Sequence, residues 1–284
     1  MVGMVERTAR MAAEERRPVR VLVADPAAGS RLSLVVTLKG FDPGMEIIET
    51  TEGRETLEAL TAERPDIAFV NVHMEGMSGA EAMAVARHQG VRPLTILMAD
   101  GVMKHWVDLS VELDAYEFIK KPIDADHVTA LLKNHRRMRQ PLRLLLVDHA
   151  DTARATVRKI FERSRFSFEI DETDAGRHAL KLLQLTSYDL ALFDMNLKGM
   201  DGLETACQAR EVAPDTKLLI MSVSPATTLP GALKHFGVEA LLAKPFYIRD
   251  VEKVFHKIYG LRRPYLMNAL TPETEAKARV AALR

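Results

Sequence analysis

Short, uninterrupted apolar runs alternate with amphipathic stretches along most of the chain. Arg20–Ala24, Ile67–Val72 and Thr95–Met98 are runs of the first kind. Strands covered by helices on both faces read this way. Between them, Arg54–Glu63 and Ala80–His88 place their apolar residues at helical spacing. Further along, Arg143–Val147, Ala191–Met195 and Lys217–Ser222 predict strands, while Asp151–Arg163, Gly176–Thr186 and Gly202–Ala213 predict helices. Strand–helix alternation of this kind implies an α/β architecture, with parallel sheets and right-handed crossovers.

The pattern occurs twice. Val21-Leu22-Val23-Ala24-Asp25 returns as Leu144-Leu145-Leu146-Val147-Asp148, and Asp66-Ile67-Ala68-Phe69-Val70-Asn71 as Asp189-Leu190-Ala191-Leu192-Phe193-Asp194. Gly76-Met77-Ser78-Gly79 returns as Gly199-Met200-Asp201-Gly202, Lys121-Pro122 as Lys244-Pro245, and Gly53-Arg54 as Gly176-Arg177. Each block recurs 123 positions later. One offset shared by five blocks preserves the spacing inside each copy, which a chance likeness of apolar runs would not do.

The copies meet near Gln140-Pro141, because a helix from about Asp124 to Arg139 must stop before the proline. The chain therefore divides into an N-terminal extension (1–18), a first copy (19–140), a second copy (141–262) and a C-terminal extension (263–284). The linker is short enough to predict a restricted relative orientation of the copies. Thr271-Pro272-Glu273 resembles a helix start, with a capping hydroxyl and proline at the first helical position, and Glu275–Leu283 continues it. Residues 4–16 read equally as a short helix or a frayed end.

Composition narrows the function. Of 284 residues, 47% are hydrophobic and 27% charged, a balance that supports two buried cores. Lys+Arg and Asp+Glu number 39 each, so the chain has no overall basic footprint for nucleic acid. The local run Arg136-Arg137-Met138-Arg139 suits the negative end of a helix dipole. A single cysteine, Cys207, rules out an intramolecular disulfide framework and a Cys-rich metal site. His73, His88 and His105 are scattered and suggest no ligand set. No apolar run approaches the roughly 20 residues that span a bilayer. The N-terminus has no signal-peptide core, and a cytoplasmic location is expected. No glycine-rich phosphate loop follows either first strand, which weighs against a nucleotide enzyme.

Functional side chains in an open parallel sheet gather at the carboxyl ends of the strands. In the second copy that rule collects Asp148, Asp194, Ser222 and Lys244, each after an aliphatic run. Two carboxylates there suit a hard divalent cation such as Mg2+, and the backbone carbonyl of Asn196 is a further candidate ligand. Lys244 offers a positive charge for a phosphoryl group and Ser222 a hydroxyl. A carboxylate beside such charges can act as a nucleophile toward a phosphoryl donor.

On these residues, and on Tyr188-Asp189-Leu190, Gly199-Met200-Asp201-Gly202 and Lys244-Pro245-Phe246, each copy resembles a receiver domain of two-component response regulators. The resemblance spans about Arg20 to Leu261. It implies two flavodoxin-like (βα)5 doubly wound domains in tandem. It also implies that Asp194 is the phosphoacceptor, that Asp148, Asp194 and the Asn196 carbonyl bind Mg2+, that Ser222 is the switch hydroxyl and that Lys244 contacts the phosphate. The expected partner is a histidine kinase or a phosphotransfer protein. The expected chemistry is limited to self-phosphorylation and autodephosphorylation, without an enzyme activity on other substrates.

Two positions depart from the family pattern in the second copy. His149 stands where a second acid is usual, so metal affinity is lowered, water fills the gap, or a softer metal is preferred. Leu241 stands where an aromatic switch is usual. The first copy departs further. It keeps Asp25 and Lys121, but Asn71 occupies the acceptor position, Pro26 that of the second acid and Ala99 that of the hydroxyl; Phe118 holds the ring position. This degenerate site predicts a pseudo-receiver that serves as an interaction or homodimerisation platform. Only 23 residues follow Leu261, so output is expected through protein contact, without nucleic-acid or membrane binding. The alternative expectation is a scaffold of two pseudo-receivers that is never phosphorylated.

Overall fold

The computed structural model describes residues 17–101, 106–223, 233 and 236–269. The chain forms two compact units by contact. Among the described residues, one holds 17–101, 106–135 and 262–269, and the other those between Arg136 and Leu261. In the first unit the elements run β1 (Arg20–Ala24), α1 (Ala28–Phe41), β2 (Glu46–Thr50), α2 (Gly53–Glu63), β3 (Ile67–Asn71), α3 (Gly79–His88), β4 (Leu94–Ala99), α4 (Trp106–Glu112), β5 (Glu117–Lys120) and α5 (Ala125–Arg139). In the second they run β6 (Leu142–Val147), α6 (Asp151–Glu162), β7 (Phe168–Thr173), α7 (Gly176–Leu185), β8 (Leu190–Asp194), α8 (Gly202–Val212), β9 (Lys217–Ser222), β10 (Val238–Ala243) and α9 (Ile248–Ile258).

Each unit is built on a five-stranded sheet, ordered β2-β1-β3-β4-β5 in the first and β7-β6-β8-β9-β10 in the second. Every pairing is parallel. This is the flavodoxin-like strand order, and it places the carboxyl ends of β1 and β3, and of β6 and β8, side by side. Strands β3, β4 and β8 are buried at every position, which explains their unbroken apolar sequences. Edge strand β7 is only partly buried throughout. Its acids pair with arginines instead, Glu172 with Arg154 at 3.4 Å and Arg158 at 2.7 Å.

Two glycines per copy set the turn beneath the strand ends. A Cβ at Gly202 would lie 2.1 Å from the Asp194 carbonyl oxygen, and one at Gly79 would lie 2.0 Å from that of Asn71. Only glycine lets α8 and α3 start so close under β8 and β3. Gly199 and Gly76 adopt positive φ, 87° and 72°, which costs glycine nothing. Helix α3 then starts from a capping box, with Ser78 and Glu81 exchanging hydrogen bonds, and α8 from Asp201, whose side chain accepts from the Glu204 N–H at 2.7 Å.

The unit boundaries differ from those the sequence suggests. Helix α5 does run to Arg139, but its last turn belongs with the second unit. Met138 is buried there and its carbonyl accepts from the Ser167 N–H at 2.9 Å. Arg137, read from sequence as suited to the negative end of a helix dipole, stacks 4.1 Å over the Tyr259 ring. The chain also returns: residues 262–269, including the short helix α10 (Tyr265–Ala269), pack in the first unit. Leu266 joins the first core cluster, which also holds Phe118, the residue at the ring position. The helices suggested for residues 4–16 and from Thr271 lie outside the described residues, as do His105 and most of the stretch between β9 and β10 that would hold the fourth helix of the second copy.

Candidate functional site

The site forms at the carboxyl edge of the second sheet. Asp148 follows β6, Asp194 ends β8, Ser222 ends β9 and Lys244 follows β10. All three of Asp148, Asp194 and Ser222 are buried. The Lys244 ammonium bridges the two acids, 2.8 Å from Asp148 Oδ2 and 2.8 Å from Asp194 Oδ1. Burial alone would lower the lysine pKa, but hydrogen bonds to Asp148 and Asp194, and their charges, outweigh it and hold the pKa above the ordinary lysine value. The ammonium is therefore a fixed positive charge at neutral pH.

The remaining carboxyl oxygens are held by backbone. Asp148 Oδ1 accepts from the Ala150 N–H at 2.9 Å, and Asp194 Oδ2 from the Asn196 N–H at 3.2 Å. These are two-residue Asx turns, and they aim each carboxyl at the same point. Arg154 closes the arrangement from behind, donating to the Asp148 carbonyl at 2.6 Å. Sequence reasoning missed this arginine. Arg31 stands 123 positions earlier and donates to the Asp25 carbonyl at 2.8 Å, so the repeat offset was the signal that could have found it.

His149 is partly exposed, with Nδ1 3.9 Å from Asp148 Oδ1, too far for a hydrogen bond. Asp148, His149 and Asp194 each offer a ligand atom, and these atoms lie within 4.8 Å of one another. The two carboxyls fit an oxygen-preferring ion such as Mg2+; the imidazole is the one member of the set that does not. Asn196 is itself exposed and places its backbone beside Asp194.

The matching corner of the first sheet is assembled but altered. Asp25 is fully buried and paired with Lys121. Asn71 stands at the acceptor position and donates from Nδ2 to Asp25 Oδ1 at 3.3 Å, while its Oδ1 accepts from the His73 N–H at 3.1 Å. The Ala27 N–H completes the Asx turn on Asp25 at 2.9 Å. Ala99 ends β4 as a buried methyl, and Pro26 is exposed with no ligand atom on its side chain. The amide thus takes the place of the charge pattern that two acids would create.

Comparison with known proteins matches both copies to one family. The family model for the response regulator receiver domain matches residues 21–133 and again 144–256. Response regulator UvrY of Escherichia coli (strain K12) is 26% identical over 122 residues, covering 43% of this chain and 56% of that protein. The nitrate/nitrite response regulator protein NarL of the same strain is 29% identical over 141 residues, 49% of this chain and 64% of that protein. The chain thus spans somewhat over half the length of these curated relatives. Among solved structures, a two-component system response regulator/GGDEF domain protein superposes with a TM-score of 0.59 at 19% identity, covering 86% of this chain and 99% of that one. That likeness supports the tandem α/β fold. Among the described residues no helix is long and apolar enough to cross a membrane.

Proposed function

The chain belongs to the response regulator receiver domain family of two-component systems, in two copies, and from that premise we propose that only the second copy accepts a phosphoryl group, on Asp194. The observation that carries this reading is the Lys244 ammonium held 2.8 Å from both buried acids, against an amide at the same place in the first copy. The donor is a phosphohistidine of a histidine kinase or phosphotransfer protein. A carboxyl oxygen of Asp194 forms the new O–P bond as the donor's P–N bond breaks, and the leaving imidazole takes a proton.

The chain's residues contribute position and charge. The Asn196 N–H fixes the Asp194 carboxyl. Lys244, bound to Asp194 Oδ1 in the resting site, follows the negative charge onto the phosphoryl oxygens. Asp148, Asp194 and the Asn196 carbonyl would hold Mg2+, with His149 at the edge of the set. Mg2+, when bound, supplies positive charge that offsets the phosphoryl oxygens. Ser222, buried at the end of β9, senses the new group. The acyl phosphate is later lost to water, so the chemistry is confined to the protein itself. Loss and gain of the group shift the second copy between two packings, and the signal passes on by protein contact.

The test is direct. The intact protein is incubated with Mg2+ and a small phosphodonor, and separately with a phosphorylated kinase, and the base-labile acyl phosphate is counted. Wild type should be labelled and Asp194→Asn should fall to background, a loss of more than about 100-fold. Absence of label from wild type under both conditions would sink the reading in favour of a scaffold, the alternative that His149 favours. Label that persists in Asp194→Asn would move the acceptor elsewhere.

A further inference from the structure

Residues 262–269 run from the last residue of the second copy into the C-terminal extension, yet they pack in the first unit. The first copy meets them with two buried polar side chains that also bond within the copy. Glu117, at the start of β5, is completely buried. Both of its carboxyl oxygens accept from the Tyr265 N–H, each at 3.0 Å. The Phe118 N–H, at 2.8 Å, and His127 Nε2, at 3.3 Å, complete its surroundings. Asn134, on α5, is 2% exposed and donates from Nδ2 to the Arg262 carbonyl at 2.7 Å and to the Tyr116 hydroxyl at 2.8 Å. Between these two anchors Pro264 is buried, and Leu266 enters the core cluster.

Buried acids and amides are costly unless each finds a partner. Glu117 and Asn134 find part of theirs on the backbone of this segment. The second copy has Ala240 and Lys257 at the positions 123 residues later, so the arrangement is particular to the first copy. The chemistry reads as recognition of a short peptide. An acid takes a backbone N–H that follows proline, an amide takes a carbonyl three residues earlier, and an apolar pocket takes the next side chain.

We propose that β5 and α5 of the first copy form a peptide-binding site whose ligand is the chain's own segment 262–269, and that this ligand exchanges on and off while the sheet stays folded. The contact has the makeup of a ligand more than of a core element. Its helix is five residues long, Arg262 and Arg263 are exposed, and Tyr265 is 54% exposed. The inference is independent of phosphorylation on Asp194.

Hydrogen exchange on the intact wild-type protein tests the exchange step. The Tyr265 amide should be protected, yet exchange at least tenfold faster than the β5 amides. Equal rates for both would make the segment permanent core and overturn the proposal, as would an unprotected Tyr265 amide. Binding is tested with a labelled synthetic peptide of residues 262–269, read by fluorescence anisotropy. A chain ending at Leu261 should bind it at least tenfold more tightly than the intact chain, where the segment in cis competes. Two altered peptides, one with Leu266→Asp and one N-methylated at Tyr265, should each bind at least tenfold more weakly. If the shortened chain fails to fold, the full-length Leu266→Asp chain vacates the same site and takes the wild-type peptide instead. No binding to either chain, or equal binding of wild-type and altered peptides, would overturn the proposal. A dimer of the intact chain that disappears in the shortened one would assign the segment to a second copy instead.

Discussion

The two copies hold the same frame and diverge where the chemistry would occur. In both, an arginine on the first helix grips the strand-end carbonyl, Arg31 at Asp25 and Arg154 at Asp148. In both, an acid before the third strand accepts from a backbone N–H, Asp66 from Arg20 at 2.9 Å and Asp189 from Arg143 at 2.8 Å. The same glycines allow the same close turn. Against that background Asn71 stands for Asp194, Pro26 for His149 and Ala99 for Ser222. What survives of the site in the first copy is the Asp25–Lys121 pair. Removing the lysine would strand a fully buried carboxyl. The contrast separates residues that the fold needs from residues that only the reaction needs.

That separation gives the largest expected effect on stability. Lys121→Ala should destabilise the first copy by about 3–5 kcal/mol, the usual cost of leaving a buried charge unpaired. The chain's single tryptophan, Trp106, lies in the first copy, so denaturant unfolding followed by its fluorescence reports on that copy. A change under about 1 kcal/mol would mean that the pair is a relic without structural weight. The phosphoryl labelling of Asp194 should be unaltered in the same variant if the second copy is still folded.

A smaller effect is expected at His149, the point where the second copy itself departs from an all-oxygen set. His149→Asp adds a third carboxyl within reach of Asp148 and Asp194. Mg2+ affinity, measured by titration calorimetry without any phosphodonor, should rise by about tenfold, or roughly 1.4 kcal/mol. The first copy has Pro26 at this place and should contribute no Mg2+ binding in either protein. Unchanged affinity would show that His149 lies outside the ion's reach, and that water fills the position in wild type.

Much of this was legible before any coordinates. The fixed offset of 123 located both sheets, the strand-end residues and the asymmetry between Asn71 and Asp194. Strand-end placement follows from chain order alone in a parallel sheet, which is why Asp148, Asp194, Ser222 and Lys244 fell together. Two features were not legible. Edge strands β2 and β7 carry too many polar residues to register as apolar runs, because one of their sides lacks a neighbour. The return of residues 262–269 depends on a non-local contact, and a buried Glu117 looks like any strand acid until its partner is known. What sequence could not supply was the distance from Tyr265 to Glu117.

The smallest expected effect is the sharpest test of how the first copy was silenced. Asn71→Asp restores the acceptor and nothing else. It would place a second carboxyl against Asp25, whose Oδ1 now accepts from Asn71 Nδ2 at 3.3 Å, and it would remove that donor. Lys121 would then face two acids, as Lys244 does. Pro26 still offers no ligand, and Ala99 still offers no hydroxyl. The variant is best made in an Asp194→Asn background, so that any acyl phosphate comes from the first copy. Labelling should stay below about 1% of that on Asp194, a deficit of roughly 2.7 kcal/mol in the barrier. Labelling at a tenth of the Asp194 level or more would mean that the amide alone silences the copy. Pro26 and Ala99 would then be neutral drift at a site already lost, and the two copies would differ in chemistry by a single atom exchange at Asn71.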